Sequence, residues 1–106
     1  MSGASGSSFI LPPENNKKTS CENINITVVL SDYNSTLKVE ISKGDILDIQ
    51  LKDHELCVMI DDNRILGVIR NEMSNRIKEC MSLGSSYEAK IIEITDELCK
   101  VQVSHI

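Results

Sequence analysis

Aromatic side chains are almost missing from these 106 residues, which hold no Trp, one Phe and two Tyr. Proteins that grip single strands of nucleic acid usually stack the bases on aromatic rings, so that mode has little to work with here. Positive charge is in the minority, with 11 Lys and Arg against 16 Asp and Glu, a net charge of −5. A chain of that sign has no general pull toward phosphate backbones. No run approaches the ~20 apolar residues of a membrane helix. Phosphate-cradling G-x-G-x-x-G and G-x-x-x-x-G-K elements are absent, and so is the G-x-S-x-G elbow of a serine hydrolase. Histidine is scarce too. His54 lies in a polar turn and His105 is penultimate, and both read as surface residues. Asp61-Asp62 lacks the EF-hand spacing and reads as a solvated hairpin tip. No metal and no cofactor are expected, and an enzyme is the least supported reading.

The cysteines, Cys21, Cys57, Cys80 and Cys99, are widely spaced and form no C-x-x-C pair that would seat zinc. Four cysteines permit two disulfides in three connectivities. A chain of this length with this core does not need staples, so the reading is small buried thiols in a reducing cytoplasm. The opening stretch Met1 to Ser8 lacks the basic start and apolar stretch of a signal peptide, and the expected location is intracellular and cytoplasmic. Asn25-Ile-Thr27 and Asn34-Ser-Thr36 match the glycosylation sequon. In that setting they read as chance, with Thr27 serving a strand.

Hydrophobic residues at 41% and charged residues at 25% fit one globular domain. Residues 1–20 are expected to form a flexible N-terminal arm. Their small and polar residues bury too little surface to offset ordering. Within the arm, Phe9-Ile10-Leu11 is an apolar island before Pro12-Pro13, a candidate partner-binding segment. Residues 21–106 form the domain.

The domain reads as short strands. Ile24 to Leu30 is rich in β-branched residues. Thr36-Leu-Lys-Val-Glu-Ile41 alternates, with Leu37, Val39 and Ile41 inward. Asp45 to Leu51 follows, with Leu47, Ile49 and Leu51 inward. Leu56 to Ile60 and Ile65 to Ile69 flank the turn residues Asp61-Asp-Asn-Arg64. Both are apolar at nearly every position, as in central strands with a helix above them. Gly67 inside the second run points to a bulge or a close contact. Residues 71–83 change to helical spacing, with Asn71 as N-cap and Gly84 as a left-handed stop. Tyr87 to Ile94 and Leu98 to Val103 are the last two strands. The expected fold is mainly β: a small, antiparallel, partly open barrel of about seven short strands, with one helix before the last two.

The stretch from Leu56 to Ile94 carries a resemblance. An apolar strand and an acidic turn lead to Arg64-Ile-Leu-Gly-Val-Ile69, a polar-capped helix, and Gly84-Ser-Ser-Tyr-Glu-Ala-Lys-Ile91. This is similar to the second half of HIRAN domains, in which a "V/I-G-x-I/L" strand enters a helix and a Gly leads to a "Y-x-A-x-I" strand. The family's D-P-x-N-P-x-D-x-N-A stretch has no counterpart in Lys52 to Val58. The resemblance implies a small β-barrel with helices and a role at single-stranded DNA ends.

Two functions follow. In the first, the chain is a non-enzymatic, HIRAN-like binding module or accessory domain for single-stranded nucleic-acid ends. Arg64, Arg70, Arg76 and Lys78 would face the anion, Arg70 would work with the free N–H groups of the helix start, and Tyr87 would be the stacking ring. In the alternative, it is a protein-interaction or assembly module with no nucleic acid. A strand edge and the Phe9-Ile10-Leu11 arm would then engage a protein partner or a second copy, away from membranes.

Overall fold

The two apolar runs around Asp61-Asp-Asn-Arg64 form the hairpin their sequence predicts. The computed structural model describes residues 20–106; Phe9-Ile10-Leu11 and the rest of the expected arm lie outside them. The elements are a 3-10 helix η1 (Cys21–Asn23), β1 (Asn25–Val29), a second 3-10 helix η2 (Ser35–Glu40), β2 (Ile46–Lys52), β3 (Glu55–Asp61), β4 (Arg64–Ile69), α1 (Ser74–Ser82), β5 (Tyr87–Ile94) and β6 (Cys99–His105). Six antiparallel strands make one curled half-barrel sheet in the order β1-β6-β5-β2-β3-β4. The mainly-β, partly open barrel with one helix is therefore observed.

The missing strand is Thr36 to Ile41, whose residues up to Glu40 fold as η2. Asn34 decides it. Its Oδ1 accepts hydrogen bonds from the Thr36 backbone N–H at 3.2 Å and from the Thr36 hydroxyl at 2.6 Å, which starts a helical turn locally. Leu37 and Ile41 are buried as a strand would have them, but Val39 between them is 87% exposed. Ile41 lies one residue past η2 in extended backbone (φ −133°, ψ 160°), so the two buried positions straddle the end of the turn and share no strand face.

The register puts one set of strand ends together. Asn25 pairs with Ser104, Tyr87 with His105, Lys52 with Glu55, and Leu56 with Ile69. α1 sits at this end, with Ile77 and Cys80 fully buried in the barrel core beside Leu56, Ile69, Tyr87 and Val103. α1 begins two residues later than the sequence suggests, with Met73 in place of Asn71 as N-cap. Asn71 and Ser74 first close a turn on each other: Asn71 N donates to Ser74 Oγ and Ser74 N donates to Asn71 O. Gly84, at φ +105°, ends the helix in the left-handed region as expected. η2 closes the opposite end, where Tyr33 donates to the Thr95 carbonyl at 2.8 Å and Lys38 pairs with Asp96 at 3.1 Å.

β4 ends the sheet rather than lying at its centre. Its inner face joins the barrel core. Cys57, Met59 and Val68 form a separate buried cluster on the outer face, so these strands bury both sides without a central position. Gly67 sits where the hairpin register shifts. A Cβ there would meet the Leu30 Cβ at 2.9 Å and the Ser31 carbonyl at 3.2 Å, so the glycine lets the chain leaving β1 approach β4 closely.

Two cysteines are cross-linked, against the reading of reduced thiols. Cys21 in η1 and Cys80 in α1 form a disulfide with Cα atoms 5.7 Å apart, across 59 residues of sequence. Chain entropy assigns a closure of that length about 4 kcal/mol. Cys57 and Cys99 are free and buried. The spacing hid the pair, because only the fold brings the end of α1 over the residues before β1.

Candidate functional site

The cationic residues singled out above do not gather into one patch. Arg64 and Arg70 stand at opposite ends of β4, about 20 Å apart at strand rise. Each is held by carboxylates from elsewhere in the chain. Arg64 meets Glu40 at 2.6 Å and Asp61 at 2.8 Å. Its hydrogen bonds hold the Asp61 carboxyl below its ordinary value near 3.8 and raise its own guanidinium. Arg70 meets Glu55 at 2.8 Å and Asp32 at 3.1 Å, and these bonds raise it likewise. The helix start is not joined to Arg70: Met73 N already donates to Asn71 Oδ1 at 2.8 Å. Arg76 pairs with Glu79 one turn on, at 2.8 Å. Lys78 is half-buried on α1. Acidic side chains thus compete for the guanidinium groups of Arg64, Arg70 and Arg76 that an incoming phosphate would use.

Tyr87 faces inward. It is fully buried, its hydroxyl donates to the Cys21 carbonyl at 2.7 Å, and the His105 ring meets it edge to face at a centroid distance of 5.3 Å. Burial raises its phenol pKa. Its ring is packing for the α1 end and is not presented to a base. Burial likewise raises the thiols of Cys57 and Cys99, the latter to about 11, so both stay protonated and poorly nucleophilic at neutral pH.

The strand edge is a clearer feature. Leu30 N donates to Cys99 O at 2.9 Å. By alternation, Leu30, Val28 and Ile26 turn their peptide groups toward β6, and Asn25, Thr27 and Val29 turn theirs away. The next residue in that outward series is Ser31, which exchanges two bonds of 2.8 Å with Val68 of β4. Asn34 N adds a bond to Leu66 O at 2.8 Å. The two outer strands are thereby joined near η2. They are not joined nearer α1, because β4 stops at Ile69 and the chain turns away into α1. Among the described residues, Asn25, Thr27 and Val29 make no backbone hydrogen bond on their outer side. Their side chains are exposed, Val29 by 47%. The segment carries no charge and no proline, the residues that blunt such edges. The sequence shows this strand but not its unpaired side, which depends on where β4 ends.

Among the described residues there is no pocket, no cluster of His, Cys, Asp and Glu that could hold a metal ion, and no helix long and apolar enough to cross a membrane. No family model, no curated protein and no solved structure matches the chain.

Proposed function

We propose that this domain is a protein-interaction module that takes up an extended segment of a partner protein along β1. The carrying observation is the row of outward peptide groups at Asn25, Thr27 and Val29, on an uncharged strand that, among the described residues, is paired on one side only. Main-chain bonds to such a row supply affinity, and the exposed side chains between them supply selectivity. The HIRAN-like reading, with its single-stranded DNA ends, is the second one. The curled β-barrel with a helix between β4 and β5 favours it. The acidic balance and the carboxylate-held arginines weigh against it.

The test has two arms. Peptides selected from a displayed library on the full chain are titrated into isotope-labelled protein. The expected result is amide shifts centred on Asn25, Thr27 and Val29, with binding lost in Thr27→Pro, which removes one outward N–H while an edge tolerates the ring. Val29→Lys is expected to weaken binding as well. Peptides that bind elsewhere, or equally well to both variants, overturn the reading. In the second arm, labelled oligonucleotides with free or blocked 3′ ends are measured at two salt concentrations. Salt-sensitive binding that a blocked end abolishes would replace strand addition with the nucleic-acid reading.

A further inference from the structure

We propose that the Cys21–Cys80 disulfide is a redox latch that a dithiol reductant opens without unfolding the barrel, loosening the N-terminal part of β1. The two sulfurs sit in different surroundings. Cys80 is fully buried among core residues, while Cys21 is only partly covered. A reductant thiolate therefore reaches the Cys21 sulfur first. It forms a mixed disulfide there, the protein S–S bond breaks, and Cys80 leaves as a thiolate that takes up a proton. The second thiol of the reductant then attacks the mixed disulfide and releases Cys21 as a thiol. Two electrons pass to the protein, and the reductant becomes a disulfide. The raised thiols of Cys57 and Cys99 keep these residues out of the exchange.

The position of the latch gives it a consequence. η1 buries no residue of its own. Beyond the disulfide it is joined to the barrel by the Tyr87 hydrogen bond to Cys21 O and by packing of Cys21 and its neighbours against the core and β6. β1 starts two residues after η1 and, among the described residues, pairs only with β6. Opening the cross-link frees the residues that lead into β1, while β2, β3 and β4 keep their own pairing and core. The effect on partner uptake rests on the strand-addition reading above; the latch itself does not.

The test uses the full chain under native conditions, oxidised and then treated with dithiothreitol, with alkylation and hydrogen exchange read by mass spectrometry. The expected result is rapid alkylation of Cys21 and slow alkylation of Cys57 and Cys99. Exchange at Ile26 and Val28 rises roughly tenfold or more, with little change in the β3–β4 hairpin, as a local opening requires. Cys21→Ser, which leaves Cys80 in the core, is expected to reproduce that pattern without reductant. A disulfide that resists dithiothreitol until the chain is denatured overturns the latch. So does loss of protection throughout the barrel, which would make the bond a structural staple. No partner enters these readings, so a chain that binds no peptide leaves the latch standing, and a failed latch leaves strand addition standing.

Discussion

The barrel is stopped at its two ends by different means. At the α1 end, Ile77 and Cys80 are fully buried, and a covalent bond ties the helix to η1. At the η2 end, Leu37 and Ile41 are buried, but Val39 lies in solvent. That end is held by polar ties: the Asn34 cap, the Tyr33 hydroxyl on Thr95, and the ion pairs Lys38–Asp96 and Glu40–Arg64. Apolar burial is worth ~1.5–3 kcal/mol for a large side chain, and exposed ion pairs ~0–1 kcal/mol each. One end is thus closed by packing that salt barely touches, and the other by polar ties that solvent competes with. The contrast teaches that two plugs of similar size in one small barrel need not share a mechanism or a sensitivity to conditions.

The largest expected effect tests that contrast directly. Ile77→Ala is expected to cost ~3–5 kcal/mol, since its cavity lies under α1 with nothing free to fill it. Leu37→Ala is expected to cost about 2 kcal/mol, at the lower end of that class, because η2 can settle inward. Urea unfolding of both variants checks the ranking, and equal losses would erase the difference between the ends.

Next in size is the seam where the two outer strands meet. Gly67→Ala is expected to cost ~1–3 kcal/mol by overpacking against Leu30 and the Ser31 carbonyl. Faster hydrogen exchange at Ser31 and Val68 would place the damage there; unchanged exchange would show that the neighbours give way.

A smaller effect is expected from Asn34→Ala, about 1 kcal/mol for a lost cap. It should raise exchange in η2 and leave α1 alone.

The smallest concerns acid. Asp61 titrates below its ordinary value because Arg64 hydrogen-bonds its ionised form. The stabilisation is therefore full above that ordinary value and fades as pH falls through the depressed one. Comparing thermal unfolding of wild type and Arg64→Ala between about pH 5 and pH 2 should show a small difference that closes in acid. A difference that persists at the acid limit would mean Arg64 acts through packing.

The elements held by neighbours in sequence were legible. The β3–β4 hairpin was written in two apolar runs and the Asp61–Arg64 turn, the β5–β6 pair in its alternation, and the helix stop in Gly84. η2 differs from the expected strand because Leu37 and Ile41 are buried as an alternating strand would have them, while the turn that separates them leaves Val39 in solvent. The Asn34 side chain settled the matter, and propensity does not weigh a single cap. The site was less legible still. Arg70 looks like a free cation until Glu55 and Asp32 arrive from 15 and 38 residues away. Tyr87 looks like an available ring until η1 and His105 close over it. The cross-link and the open side of β1 depend on contacts distant in sequence, which no local pattern records.

The pairing of β1 with β6 sets an order of events during synthesis. Asn25 meets Ser104 and Val29 meets Lys100, so a strand made early waits for one made about 70 residues later. The β3–β4 hairpin, whose halves are neighbours in the chain, is free to form long before that. The sheet is therefore completed from its β4 edge toward β1, with an uncharged β-branched segment left without β6 until residues 99–105 have been made. Such a topology folds at the slow end for its size and gives a nascent-chain chaperone a reason to hold residues 25–29.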